Sequence, residues 1–207
     1  MLTFERKAAS CGFRFIIGID EAGRGPLAGP VVAAAVLLKT HQFDNRIDDS
    51  KKMTPQARES AFHEIFDKAH VGIGIMSEEV VDAVNILNAT FFAMSWAVCR
   101  LVERVRLEHP DCRDEQFFLL VDGPHFKSDL PYAVKKIIGG DGLSLSIACA
   151  SIIAKVYRDR VMEGYDQVFP QYGFKQHKGY PTAQHRLAIK EHGPSMIHRR
   201  SFQWNSD

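Results

Sequence analysis

Short apolar runs alternate with charged or glycine-rich stretches along this chain, and their lengths separate strands from helices. Residues 14–20 (RFIIGID) form a run of strand length that ends in a carboxylate, and 31–38 (VVAAAVLL) form a second, entered through Gly29-Pro30. Residues 71–76 and 134–138 read as further strands, and 117–122 (FFLLVD) repeats the apolar run closed by an acid. A helix opens at Thr54-Pro55, with Thr54 as N-cap and Pro55 in the first turn, and runs to about Ala69. Ser77 can cap a short helix, and a longer one over 86–109 stops before Pro110. Over 146–168, Ile147, Ala150, Ile153, Ala154, Tyr157 and Val161 share one helical face. Ala148, Ala150, Ser151 and Ala154 are small enough there to let a neighbour approach closely. A last helix, capped by Thr182, runs to about His192. Strands come first, helices interleave and the chain finishes helically. This order predicts an α/β fold with a mixed sheet, flanking helices and a C-terminal helical extension over about 170–207.

Composition narrows the class without naming a partner. The 207 residues suffice for one domain with a sizeable core, and no repeat or linker suggests a second. Hydrophobic residues make up 45% and charged residues 25%, as in an ordinary soluble protein, and the formal net charge is only +1. The charge is unevenly spread. Between Gln171 and Trp204 lie Lys175, Lys178, Arg186, Lys190, Arg199 and Arg200 against Glu191 alone, together with His177, His185, His192 and His198. Such an end can be a phosphate-binding face or simply a solvated basic surface. Cys11, Cys99, Cys112 and Cys149 show no zinc spacing and no disulfide framework, and Cys149 reads as a packed thiol. The N-terminus has no apolar signal core, and the longest apolar run, 31–38, is too short for a bilayer. A reduced, cytoplasmic setting without membrane contact is expected.

The chemistry is suggested by acids at strand ends. Asp20, with Glu21 beside it, and Asp122 each close an apolar strand, and Asp141 follows Gly139-Gly140. Ligands of open α/β sheets gather at strand ends, so these carboxylates can converge. Successive side chains on a regular strand point to opposite faces, so Asp20 and Glu21 share a site only if the chain bends there. The following Ala22-Gly23-Arg24-Gly25-Pro26 is expected to supply that bend. Crowded carboxylates repel one another, which raises their pKa values and favours a divalent cation. Oxygen ligands without Cys or His nearby favour Mg²⁺ or Mn²⁺ over zinc. Two such ions about 4 Å apart can serve phosphodiester hydrolysis. Strand-end acids can also be merely solvated or cap helices, but here the pattern occurs twice beside glycine-rich turns.

The string 18–26, GIDEAGRGP, resembles the opening motif of bacterial ribonuclease HII, the type 2 ribonuclease H. Further blocks agree in order: DSKK at 49–52, VDG at 121–123, and Gly140-Asp141 followed by SLSIA at 144–148. ASIIAKV at 150–156 with Arg158-Asp159, YGF at 172–174, HKGY at 177–180 and HRRSF at 198–202 complete the series. The resemblance spans nearly the whole chain and implies a ribonuclease H-like sheet with flanking helices. It implies that Asp20, Glu21, Asp122 and Asp141 are the catalytic, metal-binding acids. It also implies that Gly23, Arg24 and Gly25 contact the backbone and 2′-hydroxyl around a ribonucleotide. Close backbone approach there suits glycine, and the 2′-hydroxyl is what separates RNA from DNA. Tyr180 matches the tyrosine that packs on the neighbouring deoxyribose. Lys51 and Lys52 are candidate phosphate contacts, and the HRRSF block either binds phosphate or supports the fold.

The implied activity is cleavage of the RNA strand of RNA–DNA hybrids, and of duplex DNA 5′ of a single ribonucleotide, leaving 3′-hydroxyl and 5′-phosphate ends. The expected cofactor is Mg²⁺ or Mn²⁺, and the protein is expected to act as a monomer. Two departures touch substrate preference. Gly139 stands where many family members have lysine, and Pro181 follows Tyr180 where glycine is common, restricting both residues. The alternatives are another carboxylate nuclease such as a recombinase or a ribonuclease HIII, a non-catalytic hybrid-binding module, and a structural protein. Only about a dozen residues precede the first strand, which argues against the extra N-terminal domain usual in ribonuclease HIII. All four acidic positions are kept, which argues against a mere binder.

Overall fold

The computed structural model describes residues 1–204. Five strands form one mixed sheet in the order β3-β2-β1-β4-β5. They are β1 (Phe15–Ala22), β2 (Val31–Leu38), β3 (Ala69–Met76), β4 (Phe117–Asp122) and β5 (Ala133–Ile137). β1, β2 and β3 pair antiparallel, while β4 joins β1, and β5 joins β4, in parallel. The mixed sheet and the expected strands agree, with ends moved by one or two residues.

The strand expected to end at Asp20 continues to Ala22, with Glu21 opposite Ala33 and Ala22 opposite Val32. The chain bends within the expected stretch 22–26, at residues 24–25 just after β1, so Asp20 and Glu21 themselves stay on regular strand. Alternation along β1 is kept to its end: Phe15, Ile17 and Ile19 face one core, and Asp20 and Ala22 the opposite side.

Helices cover both faces. On one, α4 (Ile86–Glu108) packs Ala93, Ala97, Val98 and Leu101 against Ile17, Ala33, Ala35 and Leu119. This helix is long and apolar enough to cross a membrane, which the longest apolar run alone did not reveal. Nine of its residues are nevertheless buried in the fold, as for a core helix. Asn85, in the left-handed region at φ 68°, separates it from α3 (Glu78–Val84) and caps it by accepting from the Leu87 and Asn88 amides.

On the other face lie α2 (Pro55–Lys68) and α5 (Leu145–Val168). The caps expected at Thr54, Ser77 and Thr182 all form. The single face expected for α5 is too narrow a description. Every residue from Leu145 to Ala154 is buried, because these first turns of the helix are enclosed by sheet, α2 and the N-terminus. Small residues do allow the expected close approach: a Cβ on Gly18 would lie 2.2 Å from the Ser146 carbonyl carbon.

An N-terminal helix, α1 (Thr3–Ser10), was not expected. Its Glu5 is buried and accepts from the Ser144 hydroxyl (2.6 Å), the Ser146 hydroxyl (2.9 Å) and the Ser146 amide (3.0 Å). A carboxylate at the positive end of α5 ties both helices together. Beyond α5, the short α6 (Phe174–His177) and α7 (Ala183–His192) form a third apolar cluster with Leu27, Ala28, Met162 and Ile197.

Candidate active site

Asp20 and Asp122 stand at the same end of two adjacent parallel strands, and the tight turn Gly140–Gly142 brings Asp141 beside them. One carboxylate oxygen from each of the three lies within 4.8 Å of the other two. The turn is fixed by the Gly140 amide, which donates to Asp122 Oδ1 at 2.6 Å. Burial pushes the Asp20 carboxyl well above its usual range, and the charges of Glu21 and Asp122 push it further. Asp122 is raised mainly by burial and then by Asp141, against the Gly140 hydrogen bond. Glu21 is raised by burial too, although Arg24, 3.3 Å away, opposes the shift.

Asp20, Glu21 and Asp122 open onto a cleft of about 210 Å³ lined also by the 22–25 turn, Ser50, Lys51, Ser151, Lys155 and Tyr180, while Asp141 lies behind Lys51 and outside this lining. Lys51 reaches Asp141 Oδ2 at 3.4 Å. Gly25 and Tyr180 face each other, since a Cβ on Gly25 would meet the tyrosine ring at 3.6 Å. Tyr180 is 42% exposed, but its backbone is held on both sides. Its amide donates to the His177 carbonyl, and its carbonyl accepts from the Thr182 amide.

The sequence of the chain over residues 17–205 matches the profile of the family Ribonuclease HII. The chain belongs to that family. A ribonuclease HII of Syntrophus aciditrophicus is 51% identical over 204 residues, covering 98% of this chain and 91% of the relative. One from Ruminiclostridium cellulolyticum is 50% identical over 206 residues, covering 99% of this chain and 76% of the relative. The fold resembles the RNase HII of a PCNA:RNase HII complex from Archaeoglobus fulgidus. That chain is 24% identical with a TM-score of 0.68, and the match covers 94% of this chain and 98% of the other. It also resembles Bst-RNase HIII in complex with Mn²⁺, at 17% identity and a TM-score of 0.69, covering 95% and 70%. As a member of the ribonuclease HII family the protein is an enzyme, a metal-dependent nuclease.

The residues present suit a divalent cation. Three acids converge with oxygen donors only, and the carboxyls of Asp20 and Asp122 are raised first by burial and then by neighbouring carboxylates, both of which a divalent cation would offset. Glu21 is the acid that the cluster leaves out. It points from the other face of β1, lines the cleft and pairs with Arg24.

The structure distributes the other expected contacts unevenly. Gly23, Arg24, Gly25, Lys51 and Tyr180 line the cleft, whereas Lys52 pairs with Asp49 at 3.6 Å and does not line it. Four lining residues escaped the site reading: Ala22, Ser50, Ser151 and Lys155. The Ser50 and Ser151 hydroxyls are 2.8 Å apart, and Ser151 favours the charged form of Asp20. The DSKK and ASIIAKV blocks held Ser50, Ser151 and Lys155, but only packing of the loop on α5 shows where they point.

The basic C-terminal end is less of a surface than its composition suggested. Arg199 is wholly buried, and Lys178 pairs with Glu163 at 3.0 Å. His177, His185 and His198 are buried together, and burial pushes His185 and His198 down to about 4. These histidines are neutral core residues that carry no phosphate-binding charge at neutral pH.

Proposed function

We propose that this enzyme hydrolyses the RNA strand of RNA–DNA hybrids and cuts duplex DNA on the 5′ side of an embedded ribonucleotide. The observation that carries this reading is the convergence of Asp20, Asp122 and Asp141 beside a glycine turn and an aromatic ring. Mg²⁺ or Mn²⁺ held by these three acids, with Glu21 at the rim, would activate water and offset charge on the departing oxygen. The chain's own residues supply the rest. Backbone amides of the 23–25 turn approach the sugar and read its 2′-hydroxyl, because glycine leaves no side chain in the way. Tyr180 offers an apolar face to the next sugar, where a missing hydroxyl improves the fit. Arg24, Lys51 and Lys155 line the cleft as cations that can bind phosphate, with Lys52 placed further out along the same loop. In-line attack of water on phosphorus displaces the 3′ oxygen, so the products carry 3′-hydroxyl and 5′-phosphate ends. We assign this chemistry to residues 1–207 as one catalytic unit, acting as a monomer in the cytoplasm.

The test is cleavage of a DNA duplex containing one ribonucleotide, with the product ends mapped. Cutting 5′ of the ribonucleotide is expected, abolished by chelation and restored by Mg²⁺ or Mn²⁺. Full activity in excess chelator would overturn the metal-dependent reading of the acids. An enzyme that cuts continuous hybrids but ignores this duplex would overturn the junction reading alone.

A further inference from the structure

The turn that leaves β1 rests on two buried arginines. Arg199 donates from Nε and Nη2 to the Gly29 carbonyl (2.9 and 2.7 Å) and from Nη1 to Pro26 (2.8 Å). It also reaches the carbonyls of Gly23 (2.6 Å) and Arg24 (3.2 Å), so its whole donor fork is engaged. Arg158, on α5, donates to the carbonyls of Pro30 (2.9 Å), Ala28 (3.1 Å) and Lys178 (3.0 Å). Arg199 is 0% and Arg158 1% exposed, and among the described residues neither forms a salt bridge. Burying a guanidinium is expensive unless its N–H groups are matched, and here backbone oxygens do the matching. Burial lowers the two groups only to about 9 and about 10, so both stay charged at neutral pH.

This arrangement has a directional consequence. In a trans peptide the C=O and the following N–H point opposite ways. The Gly23 and Arg24 carbonyls both turn inward to Arg199, so the Arg24 and Gly25 amides turn outward. Residues 23–25 line the cleft, and neither of those amides donates to another group among the described residues. Gly23 is required for the packing behind: a Cβ there would lie 2.1 Å from Arg158 Nε.

We infer that Arg199, supported by Arg158, is a positioning residue for sugar recognition: it holds two carbonyls inward so that two amides face the 2′-hydroxyl. The inference rests on the reading of the cleft proposed above and adds what sets its geometry. Lysine keeps the charge, but its ammonium has three donors on one nitrogen and cannot reproduce the planar fork whose five N–H groups span the carbonyls of Gly23, Arg24, Pro26 and Gly29.

The experiment measures binding in chelator, where no cleavage occurs, using the full chain. The dissociation constant for a duplex with one ribonucleotide is compared with that of the same duplex in DNA alone. Wild type is expected to prefer the ribonucleotide. Arg199→Lys should reduce that preference by about tenfold or remove it, while binding to DNA alone is unchanged. Preference retained, or both affinities falling together, would make Arg199 a purely structural residue and overturn the inference. A wild type without preference would overturn the reading of the turn itself. If Arg199→Lys does not fold, Asp82→Ala takes its place. Asp82 accepts from the Arg200 amide (2.8 Å), the Ser201 amide (2.9 Å) and the Ser201 hydroxyl (2.6 Å), and so anchors the segment that carries Arg199. A reduced preference in Asp82→Ala supports the inference, and an unchanged one overturns it.

Discussion

Asp122 does two jobs at one carboxylate: Oδ1 fixes the Gly140 amide, and the group stands within the acidic cluster. Asparagine keeps an oxygen acceptor for the amide but removes the negative charge. Asp122→Asn should therefore lose turnover by orders of magnitude, since cation placement sets the nucleophile. Hybrid affinity should largely remain, because it comes mostly from phosphate contacts elsewhere. Single-turnover kinetics beside a binding titration checks both, and near-normal turnover would move the active site away from this cluster. Tyr180 is separable in another way. Its backbone is held by His177, Thr182 and His185, so truncating the half-exposed ring removes a contact surface and little else. Tyr180→Ala should weaken cleavage at a single-ribonucleotide junction more than within a long hybrid, and Tyr180→Phe should be milder. Equal losses on both substrates would show that the ring does not read the junction. The sequence made Asp20, Asp122 and Asp141 legible because an apolar strand or a glycine pair ended at each. Glu21 was harder to place: regular alternation sets it apart from Asp20, and only the sheet register reveals that β1 does not bend. Ser50 and Ser151 were invisible as a pair, because 101 positions separate them and tertiary packing alone joins them.

Among the elements, those with long apolar runs and strong caps could be read from the chain. β2 and β4 have the expected ends, and Thr54, Ser77 and Thr182 cap as expected. Helix α1 could not be read, because only Glu5 and Ala8 of its eight residues are buried and its anchor lies some 140 positions away at α5. The narrow face expected for α5 failed for a related reason: periodicity describes a helix with one wet side, whereas this one starts enclosed. Its contact with β1 is backbone against backbone at Gly18 and Ser146, where neither side can yield by turning a rotamer. Gly18→Ala should cost about 1–3 kcal/mol or more. It should also reduce activity, since Asp20 lies two residues along the same strand. Urea unfolding checks the first part, and a variant as stable as wild type would mean that the two elements can slide apart.

Across the molecule, the C-terminal histidines join parts of the chain that the sheet does not. The Ser195 amide donates to His198 Nδ1 at 2.9 Å, which leaves the His198 proton on Nε2, facing His185 Nε2 at 3.0 Å. His185 in turn carries its proton on Nδ1, 2.9 Å from the Tyr180 carbonyl. This chain of bonds requires both rings to be neutral, and burial lowers both groups to about 4, helped at His185 by His177 and at His198 by His185. In the unfolded chain each would titrate near 6.5. Between those values these two histidines bind more protons in the unfolded state than in the folded state, so they make stability rise with pH across that window, against the opposite slope of the raised carboxyls of Asp20, Glu21 and Asp122. Acidification from pH 6.5 to 4 should therefore cost on the order of a few kcal/mol, with little further loss from these groups below. Glu64 works in a separate window. Its hydrogen bonds to Lys68 and to the Asp44 and Asn45 amides lower it to about 2, so its contribution fades only below its ordinary value of 4.5. Urea denaturation at half-unit steps from pH 7 to 4 resolves the first window. Replacing His198 with glutamine should flatten the slope there while leaving the Glu64 window in place. A His198→Gln curve as steep as that of wild type from pH 6.5 to 4.5 would mean that these histidines accept protons without unfolding the region that carries Tyr180.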